Sequence, residues 1–428
     1  MGIVSLEKAL KVAVSGWDLS HNAAGRVLTL AEPYKRLGHE VDVIGCIVGS
    51  HDKHLWLPMQ NLCIPAHYFY STTTENIVQN AITFVKQHHY DVVHLSKPRI
   101  PNIVIGYLYK IIWGSKIIMD IDDEELAFHQ LDFVNKQQLL NLSNLIKEKI
   151  NCLPHSLKNP FWTQVGVSLY DTFDSITVSN EVLQKKYGGI IIPHVRDENV
   201  FTPSTSLTKN MRQVFGIPNN RPIILFFGTP KRHKGLVETA KALQKIHNQK
   251  PLYVIVGDFT DHSLKKELLA ISNVDYVFIS DQSYEISHKI VAIGDICILM
   301  QDVSSPIAQY QLPAKLVDAL AMGLKVFATG TPVLSSFILQ GMVEEVTEEN
   351  LAQKLNKFII ENRFPVSIQQ QREFFLENLS VDSALSTINK LTDEVSSVRY
   401  LNQEVLLSKW AHRGLLSFLA NYNKYLVH

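Results

Sequence analysis

Short runs of aliphatic and β-branched residues recur along the chain, each followed by a loop and then by apolar residues at helical spacing. In the first half the runs are residues 11–15 (KVAVS), 41–46 (VDVIGC), 91–95 (DVVHL), 116–121 (KIIMDI), 175–179 (SITVS) and 189–193 (GIIIP). In the second half they are 223–227 (IILFF), 252–256 (LYVIV), 274–279, 295–300 (DICILM) and 325–329 (KVFAT). They read as continuous Val/Ile/Leu rather than as clean alternation, which is how parallel strands covered on both faces read. Regular strand–helix alternation predicts open, doubly wound sheets, with ligands at the carboxyl ends of the strands. Polar, turn-rich residues 193–222 separate the two halves and predict a linker. The expected architecture is therefore α/β, with two Rossmann-like domains facing across a cleft, over residues 1–195 and 196–395.

Three places disturb the rhythm. Pro33 falls inside the helical pattern of Leu30, Ala31, Tyr34 and Leu37, predicting a kink or an early stop. Residues 124–170 form a long helical insertion, with Leu140, Leu145, Ile146 and Ile150 near one face and Pro160-Phe161-Trp162 at its close. Residues 396–428 make a C-terminal helical tail carrying Val405, Leu406, Trp410, Leu415 and Leu419.

Composition narrows the function classes. The chain has 428 residues, a 46% hydrophobic share and 41 basic against 41 acidic side chains. That balance supplies no global drive toward nucleic acid. The four cysteines, Cys46, Cys63, Cys152 and Cys297, stand too far apart for zinc spacing and fit a reducing compartment. The start lacks a secretory pattern, and Leu6 breaks the myristoylation pattern. The apolar run 103–113 contains Lys110 and is too short to span a bilayer. A cytoplasmic protein is expected, with peripheral contact at the inner face of a membrane left open.

Two segments carry candidate chemistry. The first is Gly228-Thr229-Pro230-Lys231-Arg232-His233-Lys234-Gly235, between a strand and a helix. A glycine for close approach, three basic side chains and the free amides of a helix start suit a diphosphate. The second runs from Tyr310 through Gln311, Leu312, Pro313, Lys315 and Asp318 to Gly323. Pro313 suits the first helical position and Gly323 the C-terminal cap. Asp318 lies within two turns of the helix start, where a carboxylate can bond a ribose diol. In the first half, Asp120-Ile121-Asp122-Asp123-Glu124-Glu125 places five acids in six residues at a strand end. Such a run can handle protons, hold a cation or simply begin a helix. His94 ends the run DVVHL and is expected at the same cleft edge.

The order of these segments resembles the GT-B-fold glycosyltransferases of the large retaining family 4. The family's G-R-(x)4-K-G is matched by Gly228 with Lys234-Gly235, and its E-x7-E by the stretch that ends at Asp318 before Ala321-Met322-Gly323. Residues 192–201 resemble the hinge I-P-N-G-V-D…F, and Gly38-His39-Glu40-Val41 matches G-H-x-V. The resemblance covers roughly residues 11 to 395. It implies a metal-independent hexosyltransferase with no permanent cofactor. The donor would be a nucleotide-diphosphate sugar, a UDP- or GDP-sugar, and the acceptor a glycan, a lipid-linked molecule or a small molecule. No nucleic-acid partner is implied, and oligomerisation is left open. By position, Lys234 would meet the donor diphosphate, Asp318 the ribose, and the amides from Leu312 to Lys315 the donor, while Gly25 would belong to the glycine turn that packs against it. Lys231 or Arg232 would replace the family arginine, which is Thr229 here. Tyr310 stands where the sugar-holding glutamate is expected, and Asp122, with Asp123 beside it, where a histidine is expected. Pro160-Phe161-Trp162 is the candidate acceptor side. A GT-B sugar-nucleotide epimerase and a degenerate transferase serving as a binding scaffold are the rival readings.

Overall fold

The structure, a computed structural model, describes residues 9–48, 54–60, 63–135, 138, 154–247, 249–361, 365–392, 415, 418 and 419. The middle of the expected insertion, including Leu140, Leu145, Ile146 and Ile150, lies outside the described residues, as do Val405, Leu406 and Trp410 of the tail. The chain forms two compact units. One comprises Met1–Trp56, Leu62–Pro193 and Ala384–His428; the other comprises Leu57–Asn61 and His194–Ser383.

The first unit is built on seven parallel strands: β1 (Lys11–Gly16), β2 (Glu40–Ile47), β3 (Ala66–Tyr70), β4 (Val92–Ser96), β5 (Lys116–Ile121), β6 (Ser175–Val178) and β7 (Ile190–Ile191), in the order β3-β2-β1-β4-β5-β6-β7. Its helices are α1 (Gly25–Arg36), α2 (Ile77–Gln87), α3 (Ile100–Ile112), α4 (Pro160–Val167) and α5 (Glu181–Tyr187). The apolar run 103–113 becomes α3, a helix enclosed on nearly every side. Gly106 lets it close on the sheet, since a Cβ there would stand 2.6 Å from Leu95 and 2.8 Å from Phe173.

The second unit repeats the plan with β8 (Ile223–Phe227), β9 (Leu252–Val256), β10 (Asp275–Ile279), β11 (Ile296–Leu299), β12 (Lys325–Ala328) and β13 (Val343–Glu345), in the order β10-β9-β8-β11-β12-β13. Ten helices accompany it: α6 (Thr205–Val214), α7 (Leu236–Gln244), α8 (His262–Ala270), α9 (Ser287–Val291), α10 (Pro306–Tyr310), α11 (Ala314–Ala321), α12 (Ser335–Leu339), α13 (Leu351–Glu361), α14 (Ile368–Asn378) and α15 (Val381–Thr392). The boundary between the units falls inside α15, after Ser383. Relabelled from one, this strand order is 3-2-1-4-5-6, the Rossmann order, and the first six strands of the other unit follow it too. Each sheet therefore reverses direction beside its first strand, between β1 and β4 and between β8 and β11. Ligands of such sheets bind outside the carboxyl ends at that reversal. Among the described residues no helix is long and apolar enough to cross a membrane.

The structure corrects some expectations about elements. Pro33 does not stop α1 early. It sits in the last turn, where its missing N–H costs one bond, and the helix runs on to Arg36. Residues 193–222 are not an open linker. Ser204 caps α6 by accepting a hydrogen bond from the Leu207 amide, and Arg212 of that helix is buried against the Ile293 carbonyl and Asp295. Polar residues that read as linker are partners for buried charge. Strands β3 and β13 escaped notice because both lie at sheet edges: β3 carries few β-branched residues, and β13 is only three residues long.

Gly166 of α4 seats that helix on the turn after β4. A Cβ there would lie 2.4 Å from the Pro98 carbonyl oxygen and 3.3 Å from the Arg99 Cα, both backbone atoms that cannot step aside. Gly166→Ala is expected to destabilise the protein by about 1–3 kcal/mol, as overpacking does. Urea unfolding checks this; an unchanged midpoint would show that the turn is looser than its geometry implies.

Candidate functional site

In the second unit the carboxyl end of β8 turns sharply. Gly228 has φ +93°, and its amide donates to the Val256 carbonyl of β9. Gly235 has φ +71°, and a Cβ there would overlap the Met300 carbonyl oxygen at 2.3 Å. Two left-handed glycines thus pin the segment 229–234 against the end of β11, at the point where the sheet reverses. No L-residue with a side chain would hold that path without strain.

The segment gathers basic side chains that pair with no carboxylate among the described residues. Lys231, His233, Lys234 and, from the start of α11, Lys315 form no ion pair among the described residues. Lys234 donates to the Thr229 carbonyl at 2.8 Å. Burial first, and then the neighbouring Lys231, depress its pKa to about 8. Lys315 is half-buried, with its Nζ 3.8 Å from the centre of the Phe226 ring. Burial, followed by the charge of Lys234, pulls its pKa well below the lysine range, with only Cys297 and Asp318 opposing. His233 is shifted down by burial and then by Lys234, Lys231 and Lys315. A group held this way gains from an arriving anion on two counts, Coulomb attraction and relief of mutual repulsion. Arg232 behaves differently. It reaches Asp261 and Glu267 beside and within α8, and the Ser263 hydroxyl, so its charge is already matched. That corrects the expectation that Arg232 replaces the family arginine; Lys231 remains the unmatched side chain for that role.

The second expected segment lies on the same edge of the sheet. Tyr310 ends α10 half-buried, Gln311 and buried Leu312 bridge to α11, and Pro313 caps that helix one position earlier than expected. The first amides of α11, those of Ala314 and Lys315, have no carbonyl within the helix to bond. Gly323, at φ +78°, follows the helix as a left-handed C-terminal stop. Asp318 is buried and pairs with the Nε of Arg196, itself enclosed. Burial works against the Arg196 cation, and Asp318 more than restores it. One oxygen of Asp318 is therefore committed to the hinge segment, a partner that sequence reading missed.

In the first unit the five acids of the run meet four cations. Arg26 of α1 grips Asp120 with two hydrogen bonds of 2.9 and 2.8 Å and also donates to the Ile192 and Pro193 carbonyls. Lys97, just after β4, places its Nζ 3.2 Å from Asp122, 2.6 Å from Asp123 and 3.1 Å from Glu125. Arg99 bonds Glu125 at 2.9 Å and lies 4.4 Å over the Trp17 ring. Glu124 accepts from the Tyr187 hydroxyl and pairs with Lys186. The acidic run is thus an enclosed ion-pair network rather than a solvated helix start. Burial is the main force raising the Asp122 pKa to about 7, with Asp123 and Asp120 adding to it and Lys97 and Arg26 opposing. The Ser96 hydroxyl and the Trp17 indole N–H are buried without a hydrogen-bond partner at the ends of two adjacent strands, β4 and β1. Buried polar atoms left so call for a ligand hydroxyl or water. Gly25 opens α1 at φ −60°, and a Cβ there would meet nothing nearer than Trp56 at 3.8 Å, so the ligand-free fold itself does not require glycine.

Two expectations about this unit are overturned. His94 does not reach a cleft edge: it sits inside β4, with no exposure, bonded to the Tyr34 hydroxyl at 3.0 Å and the Thr177 hydroxyl at 2.9 Å. It is a core histidine in a network that runs through Thr177 to Asp120. Trp162 is likewise enclosed and donates its indole N–H to the Pro154 carbonyl at 2.7 Å, so it is packing rather than acceptor surface.

Comparison with known proteins agrees with this plan. The chain has the GT-B fold. Residues 208–373, within the second unit, match the family Glycosyl transferases group 1. The structure resembles that of Anabaena Alr3699/HepE in complex with UDP and glucose, at TM-score 0.64 and 16% identity, covering 90% of this chain and 99% of that one. It also resembles a glycosyltransferase from Rickettsia africae (TM-score 0.63, 16% identity, 91% and 100% covered). A third likeness is to sucrose-phosphate synthase from Thermosynechococcus elongatus (0.61, 13%, 90% and 98%). No curated protein matches the sequence.

Two measurements check the buried charges. Arg196→Met leaves the Asp318 carboxylate buried without its cation and is expected to cost about 3–5 kcal/mol in denaturant unfolding. His94 has its pKa lowered to about 4 by burial, with Arg26 adding and Asp120 opposing. The unfolded chain therefore binds the extra proton first, so the stability held above the ordinary histidine pKa of about 6.5 is lost as pH falls toward 4. Between pH 7 and 5 the contribution is about 2 kcal/mol. His94→Gln should flatten that part of the stability–pH curve; an unaltered slope would assign it to other groups.

Proposed function

We propose that this chain is a glycosyltransferase that moves a glycosyl group from a nucleotide-diphosphate sugar to an acceptor hydroxyl with retention at the anomeric carbon. The observation that carries the reading is the unneutralised cluster of Lys231, His233, Lys234 and Lys315 at the carboxyl end of β8 and the start of α11. A leaving diphosphate gains negative charge as the glycosyl bond breaks. Preset cations and helix amides there stabilise the transition state more than the ground state. The match of residues 208–373 to Glycosyl transferases group 1 supports the same assignment. Retention rests on the resemblance to the retaining family. A UDP-sugar is the first donor to test, with a GDP-sugar second, because the Anabaena protein binds UDP and glucose.

The proposed roles are these. Gly228 and Thr229 bring backbone close to the diphosphate, Lys234 and Lys315 bind its oxygens, and the Ala314 and Lys315 amides extend the cradle. Asp318 offers the ribose the oxygen that Arg196 does not use. Tyr310, Gln311 and Leu312 border the donor, with the Tyr310 hydroxyl taking the place of the sugar-holding carboxylate. In the first unit, Asp122 and Asp123 face the acceptor, and Asp122 titrates near the pH at which a general base is most effective. No step is assigned to a metal ion. Sparse cysteines fit a reaction in the reducing cytoplasm.

Calorimetry with UDP and a panel of nucleotide sugars tests the assignment. Lys234→Ala is expected to weaken UDP binding about 10- to 100-fold, the loss of one charge-assisted hydrogen bond, without moving the melting temperature. If the intact protein neither binds nor consumes any donor in the panel, the scaffold reading replaces this one. Release of free nucleotide without an acceptor favours the epimerase.

A further inference from the structure

We propose that Lys97 is a positioning residue for the reaction: it holds Asp122, Asp123 and Glu125 in one arrangement without touching substrate. The inference deepens the acceptor-side reading above and rests on it.

Lys97 has φ +78°, one of four non-glycine residues in the left-handed region among the described ones. A lysine gains nothing intrinsic there and pays a backbone cost. The surroundings hold it in place. Its amide donates to the Asp120 carbonyl, extending the β4–β5 pairing by one residue. Asn102 of α3, fully enclosed, donates to the Ser96 and Lys97 carbonyls and accepts from the Ser15 hydroxyl. Gly166 closes the turn from the other side. These clamps aim the ammonium at a point shared by three carboxylates.

That point is crowded with charge. Asp122 faces Lys97, Asp123, Asp120 and Arg26. Glu125 faces Lys97 and Arg99, and His129 feels Arg99 and Glu125. Glu124 is engaged separately by Lys186 and Tyr187. Among the described residues Lys97 is the one cation that reaches Asp122, Asp123 and Glu125 together. Without it, Asp122 retains two carboxylate neighbours and loses its nearest cation, so it holds its proton to higher pH. Lysine suits the place because a compact ammonium can meet three acceptors, which the planar arginine fork cannot do as well.

The test compares wild type, Lys97→Met, Lys97→Gly and Lys97→Arg. Glycine suits the left-handed backbone, so Lys97→Gly removes the amine while relieving that cost and keeps the question answerable if the methionine variant does not fold. Carbon-13 NMR of labelled aspartate, with the Asp122 signal identified by Asp122→Asn, follows the carboxyl directly. The expected result is a rise of about one pH unit or more in the Asp122 midpoint in Lys97→Met or Lys97→Gly, with partial restoration in Lys97→Arg. The acid limb of kcat/KM should move by the same amount, about tenfold in rate per unit. An unmoved Asp122 midpoint overturns the proposal, as does a uniform fall in kcat with no change in the pH profile. If wild-type protein turns over no donor, the transferase reading fails alone, and the NMR arm still decides whether Lys97 governs these carboxylates.

Discussion

A parallel sheet covered by helices on both faces leaves one place for polar chemistry, the carboxyl edge where loops begin. Both units of this chain obey that constraint. The strands are aliphatic along their length, and almost every ionised side chain that matters lies within a few residues of a strand end. What differs between the units is how the charge at that edge is disposed. In the first unit it is paired, carboxylate against lysine or arginine, in an enclosed network. In the second, four basic side chains are brought together and left unmatched.

The contrast has energetic meaning. Enclosing an ion is costly unless a partner repays it. Arg26 with Asp120 and Lys97 with its three carboxylates, in the first unit, and Arg196 with Asp318, in the second, all meet that condition, each forming a frame within its own unit. Lys234 and Lys315 do not meet it, and they sit partly out of water beside one another. The fold tolerates this because two left-handed glycines and the packing of Gly235 on β11 leave the chain no other path. A site so built is destabilised when empty and favoured when an anion fills it.

The same frame explains which residues can be altered. His94 and Trp162 are chemically suggestive types placed where they serve packing and hydrogen bonding. Lys97, chemically unremarkable in sequence, stands at the centre of a network because Asn102, Gly166 and the β4–β5 pairing dictate its direction.

Much was legible in the sequence. The eleven strand runs it suggested all appear as strands, since buried parallel strands leave a compositional trace that survives without context. The GT-B fold was also legible, and the two candidate donor segments stood out, because glycines, clustered lysines and the proline before a helix are local signals set by backbone sterics and charge. The edge strands β3 and β13 were not, since an edge needs less apolar character. Nor were the partners. Nothing local tells that Arg232 turns to α8 while Lys231 does not, that Arg196 claims one oxygen of Asp318, or that Lys97 gathers Asp122, Asp123 and Glu125. Sequence determined which residues stand at the strand ends. Only the tertiary structure decided which charges there are matched and which are left for a ligand, because pairing depends on distances between segments that are far apart in the chain.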